Sequence, residues 1–143
     1  MIGLSEQERR GKIYTDGAAR GNPGKAAWAY LIVADGELIA SDSGYLGITT
    51  NNVAEYHAVI NGMRAALDRR LRHADLCSDS ELVVRQIGGK YRVRAPHLRP
   101  LHQEVLRLKE QFTEIRVRSV PRDHPFITRA DAMCNAVLDR EAK

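Results

Sequence analysis

Ile13-Tyr14-Thr15-Asp16-Gly17-Ala18-Ala19-Arg20-Gly21-Asn22-Pro23-Gly24 is the stretch on which the reading of this chain turns. Ile13 and Tyr14 open an apolar run entering a core, an aspartate stands at its end, and a turn rich in Gly, Asn and Pro follows. A second run, through Trp28, Tyr30, Leu31, Ile32 and Val33, returns, so the stretch reads as a β-hairpin with a carboxylate at a strand end. Asp beside Gly is also an ordinary turn pair. Asp16 therefore takes its meaning from the acids found further along.

Working outward, Asp35-Gly36 is a hairpin turn pair, and Glu37 to Leu46 reads as a third strand, giving an antiparallel meander. Thr49-Thr50-Asn51-Asn52 supplies helix N-cap types ahead of Ala54, Ala58, Met63, Ala65, Ala66 and Leu67, so a helix of about four turns starts there. Glu55 falls in its first turn, where a carboxylate complements the helix dipole, and Asn52 to Glu55 has the spacing of a capping pair. Ala74 to Ser78 reads as a short buried strand running into Asp79-Ser80, and Glu81 to Gln86 as a short helix closed by Gly88-Gly89. Asp79 reads equally as an N-cap or as a second acid at a strand-to-helix junction, and Ser80 can take the capping role.

Lys90-Tyr91-Arg92-Val93-Arg94 and Arg99 form the most basic part of the chain, fit either for tracking phosphates or for solvation. Leu98 to Phe112 has helical spacing, Ile115 to Val120 alternates as a fifth strand, Pro121 to Thr128 is a loop with His124, and Arg129 to Arg140 is a terminal helix with Asp131 near its start. Three strands, helix, strand, two helices, strand and helix imply an α/β fold: a five-stranded mixed sheet, its first three strands antiparallel and the later two parallel after crossovers. If strands one and four are parallel neighbours, Asp16 and Asp79 leave the same edge.

At 143 residues the chain is long enough for one core, with residues 1–11 a flexible lead-in and 12–143 a single domain. It carries 22 Lys+Arg against 18 Asp+Glu, net +4, a balance suited to a polyanionic partner. Cys77 and Cys134 read as free, packed thiols, and no apolar run approaches the ~18–20 residues of a membrane span, so a monomer in the reducing cytoplasm is expected.

Four motifs in order, Tyr14-Thr15-Asp16-Gly17 with Gly21-Asn22-Pro23-Gly24, Thr50 to Glu55, Ser78-Asp79-Ser80 and Ala130-Asp131, make the chain resemble type 1 ribonuclease H from about Lys12 to the last helix. Gly88 to Pro100 is similar to the branch lacking a basic protrusion. The resemblance implies the ribonuclease H-like fold and makes Asp16, Glu55, Asp79 and Asp131 both metal ligands and catalytic residues. Four gathered carboxylates would take up protons unless cations filled the gap, and oxygen donors suit Mg²⁺ or Mn²⁺.

The implied activity is endonucleolytic hydrolysis of the RNA strand of an RNA/DNA hybrid, leaving 5′-phosphate and 3′-hydroxyl ends, with two ions roughly 3.5–4 Å apart. Gly17, Asn22, Asn51 and Asn52 match positions facing the hybrid's backbone and minor groove, where the RNA strand offers 2′-hydroxyls. Thr50 and Asn22 match a pocket for a phosphate of the DNA strand. Glu81 stands where many relatives carry Gln, turning one contact into an acceptor only, and the last motif lacks the Asn that often precedes the final acid. His124 matches either a loop histidine that assists proton transfer or product release, or an ordinary exposed residue. A catalytically silent binding module, and a nuclease acting on DNA or double-stranded RNA, are the competing readings.

Overall fold

The computed structural model describes residues 10–142. In chain order it comprises β1 (Arg10–Gly21), β2 (Gly24–Ala34), β3 (Glu37–Thr49), α1 (Asn51–Asp68), β4 (His73–Ser78), α2 (Glu81–Ile87), α3 (Arg99–Glu110), β5 (Glu114–Ser119) and α4 (Pro125–Glu141). The sheet order is β3-β2-β1-β4-β5, with β1, β2 and β3 antiparallel and β1, β4 and β5 parallel. This is the mixed sheet expected, with β1 at its centre. Of the lead-in expected over residues 1–11, residues 1–9 lie outside the described residues, whereas Arg10 already pairs with β4 and Gly11 with both β2 and β4.

Alternation along the strands sorts the core into two layers. Ile13, Ile32 and Leu76 face α1, α2 and α3 with Tyr56, Val59, Met63, Ile87 and Val105. Their neighbours Tyr14, Leu31 and Cys77 face α4 with Cys134, Val137 and Leu138. Because successive side chains in a strand point to opposite faces, a strand covered on both sides must be apolar at nearly every position, which is why the runs beginning at Ile13 and at Tyr30 do not alternate. Truncating Ile13, Leu31 or Leu76, each 0–1% exposed, would leave a void costing about 2–5 kcal/mol.

Three local expectations change. β1 does not end at Asp16: the Gly-rich segment stays paired with β2 from Gly17↔Trp28 to Gly21↔Gly24, so the turn shrinks to Asn22-Pro23. Glycines suggested a loop, but the cross-strand ladder overrides their low strand preference. Helix α1 begins at Asn51 behind Thr50, whose hydroxyl accepts from Val53 N at 3.2 Å, so Glu55 sits beyond the first turn and takes no part in capping. Helix α4 begins at Pro125, not at Arg129, because proline is pre-set for the first helical position and His124 caps it. The Asp35-Gly36 hairpin forms as read, with φ of 54° and 76°. Residues 88–98 carry no helix between α2 and α3.

Among the described residues no helix is long and apolar enough to cross a membrane. Cys77 and Cys134 are buried free thiols.

Candidate active site

The parallel pairing of β1 with β4 stops at Tyr14↔Cys77, while β1 continues along β2. Two residues past that last pair on each strand stand Asp16 and Asp79, so the carboxylates flank the point where the strands part. Ser80, not Asp79, caps α2 by accepting from Val83 N at 3.3 Å, which leaves the Asp79 carboxylate free of the capping role it shared on paper.

Glu55 reaches the same point from α1, through a contact that only glycine allows. A Cβ on Gly17 would lie 2.3 Å from Ala54 C and from Glu55 N, so the backbone of β1 and the second turn of α1 touch there. At that approach Gly17 N donates to Glu55 Oε1 at 2.9 Å. One oxygen from each of Asp16, Glu55 and Asp79 lies within 4.8 Å of the others. Asp131 comes from α4, on the opposite side of the sheet from α1, and lines the same cleft of about 540 Å³ with Gly17, Ala18, Asn51, Asn52, Ser80, Arg122, Ile127 and Thr128.

The electrostatics are those of a site short of positive charge. Burial pushes Asp16 up to about 9, with Glu55, Asp79 and Asp131 adding like charge. Burial likewise pushes Glu55 up to about 8, although the Gly17 amide works against the shift. Asp16 and Glu55 are each only 7% exposed, and Asp16 Oδ2 and Glu55 Oε2 have no hydrogen-bond partner. Buried carboxylate oxygens left without donors are costly, and a hard divalent cation is the group whose charge and oxygen preference remove that cost. The residues present thus fit a divalent metal centre. A protein cation reaches the cluster from Arg122, whose Nε lies 3.6 Å from Asp79 Oδ2 while its side chain is 94% exposed.

The expected substrate contacts divide. Gly17, Asn51 and Asn52 line the cleft; Asn22, Thr50 and Glu81 do not. Thr50 Oγ1 is engaged in the cap of α1. Asn22 Oδ1 accepts from Asn51 N at 3.0 Å, and Asn51 Oδ1 accepts from Ala19 N at 2.8 Å, so the two amides brace the hairpin against the start of α1. Their oxygens are used internally, which leaves the NH₂ ends, donors only, for a ligand. Glu81 opens α2 and lines a neighbouring groove with Arg85, Lys90 and Lys109.

His124 does not line the cleft either. Its Nδ1 accepts from Phe126 N at 3.2 Å and its ring stacks on Tyr14 at 4.8 Å, which makes it a capping and packing residue. Arg122, two residues before His124 in the same loop, is the residue that reaches Asp79, and the sequence reading had not singled it out. The available signal was only that a basic residue stands in the segment leading to Asp131.

Comparison with known proteins agrees with this geometry. A family model described as reverse transcriptase-like matches residues 14–137. Ribonuclease HI of Halobacterium salinarum is 37% identical over 142 residues, covering 97% of this chain and 70% of that protein. A bifunctional protein of Mycobacterium tuberculosis is 36% identical over 133 residues, which is 92% of this chain but only 36% of that protein's length. Among solved structures, the type 1 ribonuclease H of Halobacterium salinarum superposes with a TM-score of 0.86 at 38% identity, covering 92% of this chain and 98% of that one. A type 1 ribonuclease H isolated from compost, solved in complex with an RNA/DNA hybrid, gives a TM-score of 0.85 at 33% identity, with coverage of 93% and 99%.

A mixed sheet carrying a carboxylate cluster where its central parallel strands part defines the ribonuclease H-like class of nucleases. Within that class, the chain belongs to the ribonuclease HI family.

Proposed function

We propose that this chain is an endonuclease that hydrolyses the RNA strand of RNA/DNA hybrids in a divalent-cation-dependent reaction, leaving 5′-phosphate and 3′-hydroxyl ends. The observation that carries the reading is the pair of buried, partnerless oxygens, Asp16 Oδ2 and Glu55 Oε2, beside Asp79. A module that only bound nucleic acid would gain nothing from like charges held in this way.

Asp16, Glu55, Asp79 and Asp131 would hold two ions, Mg²⁺ or Mn²⁺, with Asp16 placed to serve both. Bound there, the ions supply an activated water and stabilise the leaving 3′ oxygen. Gly17 N keeps Glu55 aimed through Oε1 and leaves its other oxygen for the centre. Arg122, on the loop between β5 and α4, lines the cleft with its guanidinium largely in solvent and is positioned to meet a phosphate oxygen of the scissile strand. Asn51 presents its NH₂ group beside Asn52, as donor to a phosphate or 2′-hydroxyl oxygen; only the RNA strand carries the latter. The setting we propose is the cytoplasm, in keeping with two unpaired buried thiols, and the working unit is a monomer.

The test is cleavage of an end-labelled RNA presented as single strand, RNA/RNA duplex and RNA/DNA hybrid, with Mg²⁺, Mn²⁺ or EDTA. Cation-dependent cutting confined to the hybrid's RNA strand, and lost in Asp16→Asn, is the expected result. Folded, cation-loaded protein that cuts nothing would return the chain to the binding-module reading, while cutting of RNA/RNA duplex or DNA would make it a nuclease of broader choice.

A further inference from the structure

Asp131 differs from the other three acids in having neither burial nor a strand end to fix it. It stands exposed in the second turn of α4, outside the set of three whose oxygens lie within 4.8 Å of one another. Its carboxylate is nevertheless gripped. Asn135, one turn on, donates its Nδ2 to Asp131 O at 3.1 Å and to Asp131 Oδ2 at 3.3 Å. Asn135 Oδ1 in turn accepts from Arg20 Nη2 at 3.2 Å, and the same Arg20 nitrogen donates to Asp139 Oδ1 at 2.6 Å and lies 3.4 Å from Asn135 O. Arg20 belongs to β1, four residues past Asp16.

The chemistry of this chain of contacts has a direction. A guanidinium has donors only, so the end of the Asn135 amide that meets Arg20 must be its oxygen, and the NH₂ end is thereby turned toward Asp131. Without Arg20 the amide is free to flip, presenting an oxygen to a carboxylate and repelling it. With one oxygen of Asp131 held by Asn135, the other is left free in the cleft that Asp131 lines together with Asp16, Glu55 and Asp79.

We propose that Arg20 and Asn135 form a positioning relay that sets the orientation of Asp131 for cation binding, with Asp139 anchoring the guanidinium. The inference rests on the metal-centre reading given above and names two residues outside the acid set. Outer hydrogen-bond partners of metal ligands typically change metal affinity or activity by ~10–100-fold when removed. The relay is solvent-exposed and belongs at the lower end of that range.

The experiment is a calorimetric Mg²⁺ and Mn²⁺ titration of folded wild type, Asn135→Ala, Asn135→Asp, Arg20→Met and the Arg20→Met/Asn135→Ala double variant, with hybrid cleavage followed against cation concentration. Asn135→Ala and Arg20→Met should each raise the half-saturating cation concentration ~10-fold while the KM for hybrid at saturating cation stays unchanged. Asn135→Asp, which keeps the shape but replaces the donor by an acceptor, should do at least as much harm. The double variant should be no worse than Asn135→Ala, because Arg20 acts through Asn135. Unchanged cation affinity in both single variants, or additive losses in the double variant, would overturn the relay while leaving wild-type cation binding, and so the metal-centre reading, intact. A wild type that binds no cation overturns both.

Discussion

The acid set has two halves that are held in place by different physics. Asp16, Glu55 and Asp79 are fixed by the backbone: two strand ends in parallel register and a helix pressed against Gly17. Asp131 is fixed by side chains, through an amide and a guanidinium at the surface of α4. The comparison teaches where each half bears its cost. The buried half is rigid at the expense of stability, because carboxyl groups that would ionise in water are held out of it and keep their protons. The exposed half costs the fold little, and its orientation depends on hydrogen bonds that water can replace.

The sharpest way to break the comparison is Asp16→Asn. Turnover should fall below detection, since no other residue can take the place at which β1 and β4 part. Stability without metal should rise near neutral pH, because the amide keeps the shape without the proton uptake that burial imposes on Asp16. Thermal melts in EDTA beside cleavage assays check both, and a variant that loses activity and stability together would show that the buried half is not strained.

The pH dependence of metal-free stability tests the same strain. Asp16 and Glu55 titrate at about 9 and about 8 in the folded chain, far above their ordinary values of 3.8 and 4.5. The folded protein therefore holds protons that the unfolded chain has already lost, and its stability falls as pH rises from about 4 toward 8–9. The loss in EDTA should show as a Tm that falls steadily across that window. Saturating Mg²⁺ should remove most of the decline, and should raise Tm more at pH 8 than at pH 5. A flat EDTA profile over that window would mean that the two carboxylates are not as buried as they stand here.

Gly17→Ala separates geometry from charge. A methyl group placed 2.3 Å from the backbone of α1 must push the helix away, costing about 1–3 kcal/mol by overpacking and moving Glu55 out of reach. Lower Tm together with weakened cation binding is the expected pair of results. Loss of stability with cation affinity kept would show that Glu55 follows the displaced helix without loss. The glycine thus acts mainly by what it lets approach, a role that its place in a turn-rich stretch of sequence concealed.

That concealment marks the limit of what the chain discloses on its face. The apolar runs around Ile13, Ile32 and Leu76 announce a sheet buried on both faces, and four acids at strand ends and helix starts announce the site, because both are matters of local pattern. The length of β1 beyond Asp16 was hidden, since only pairing with β2 holds Gly17 to Gly21 extended. The internal use of the Asn22 and Asn51 oxygens was hidden for the same reason: their partners lie 29 and 32 residues away. Asn51→Asp exploits the second point. A carboxylate at position 51 can still accept from Ala19 N, so the brace survives, but the outward donor is replaced by a negative charge. Hybrid affinity should fall by about tenfold, equivalent to ~1.4 kcal/mol, with Tm little changed. Equal affinity would place the hybrid's contacts elsewhere in the cleft.

His124 gives the smallest and most discriminating effect. The loop in which it was read is shorter than the sequence suggested, because Pro125 starts α4 and makes His124 its N-cap. Its Nδ1 takes Phe126 N, and its ring lies on Tyr14 in the layer beneath α4. His124→Ala should therefore cost about 1 kcal/mol, the usual worth of a lost cap, and leave the pH–rate profile and turnover unchanged. His124→Asn, which can cap but cannot carry a proton near neutral pH, should restore most of the lost stability. Arg122→Ala supplies the contrast within the same loop: it should leave Tm nearly alone, because an exposed guanidinium contributes little to folding, yet weaken turnover by removing the cation that faces Asp79. If the two phenotypes were exchanged, with His124 controlling turnover and Arg122 only stability, the loop would be swinging between arrangements, and the division between backbone-held and side-chain-held parts of the site would have to be redrawn around it.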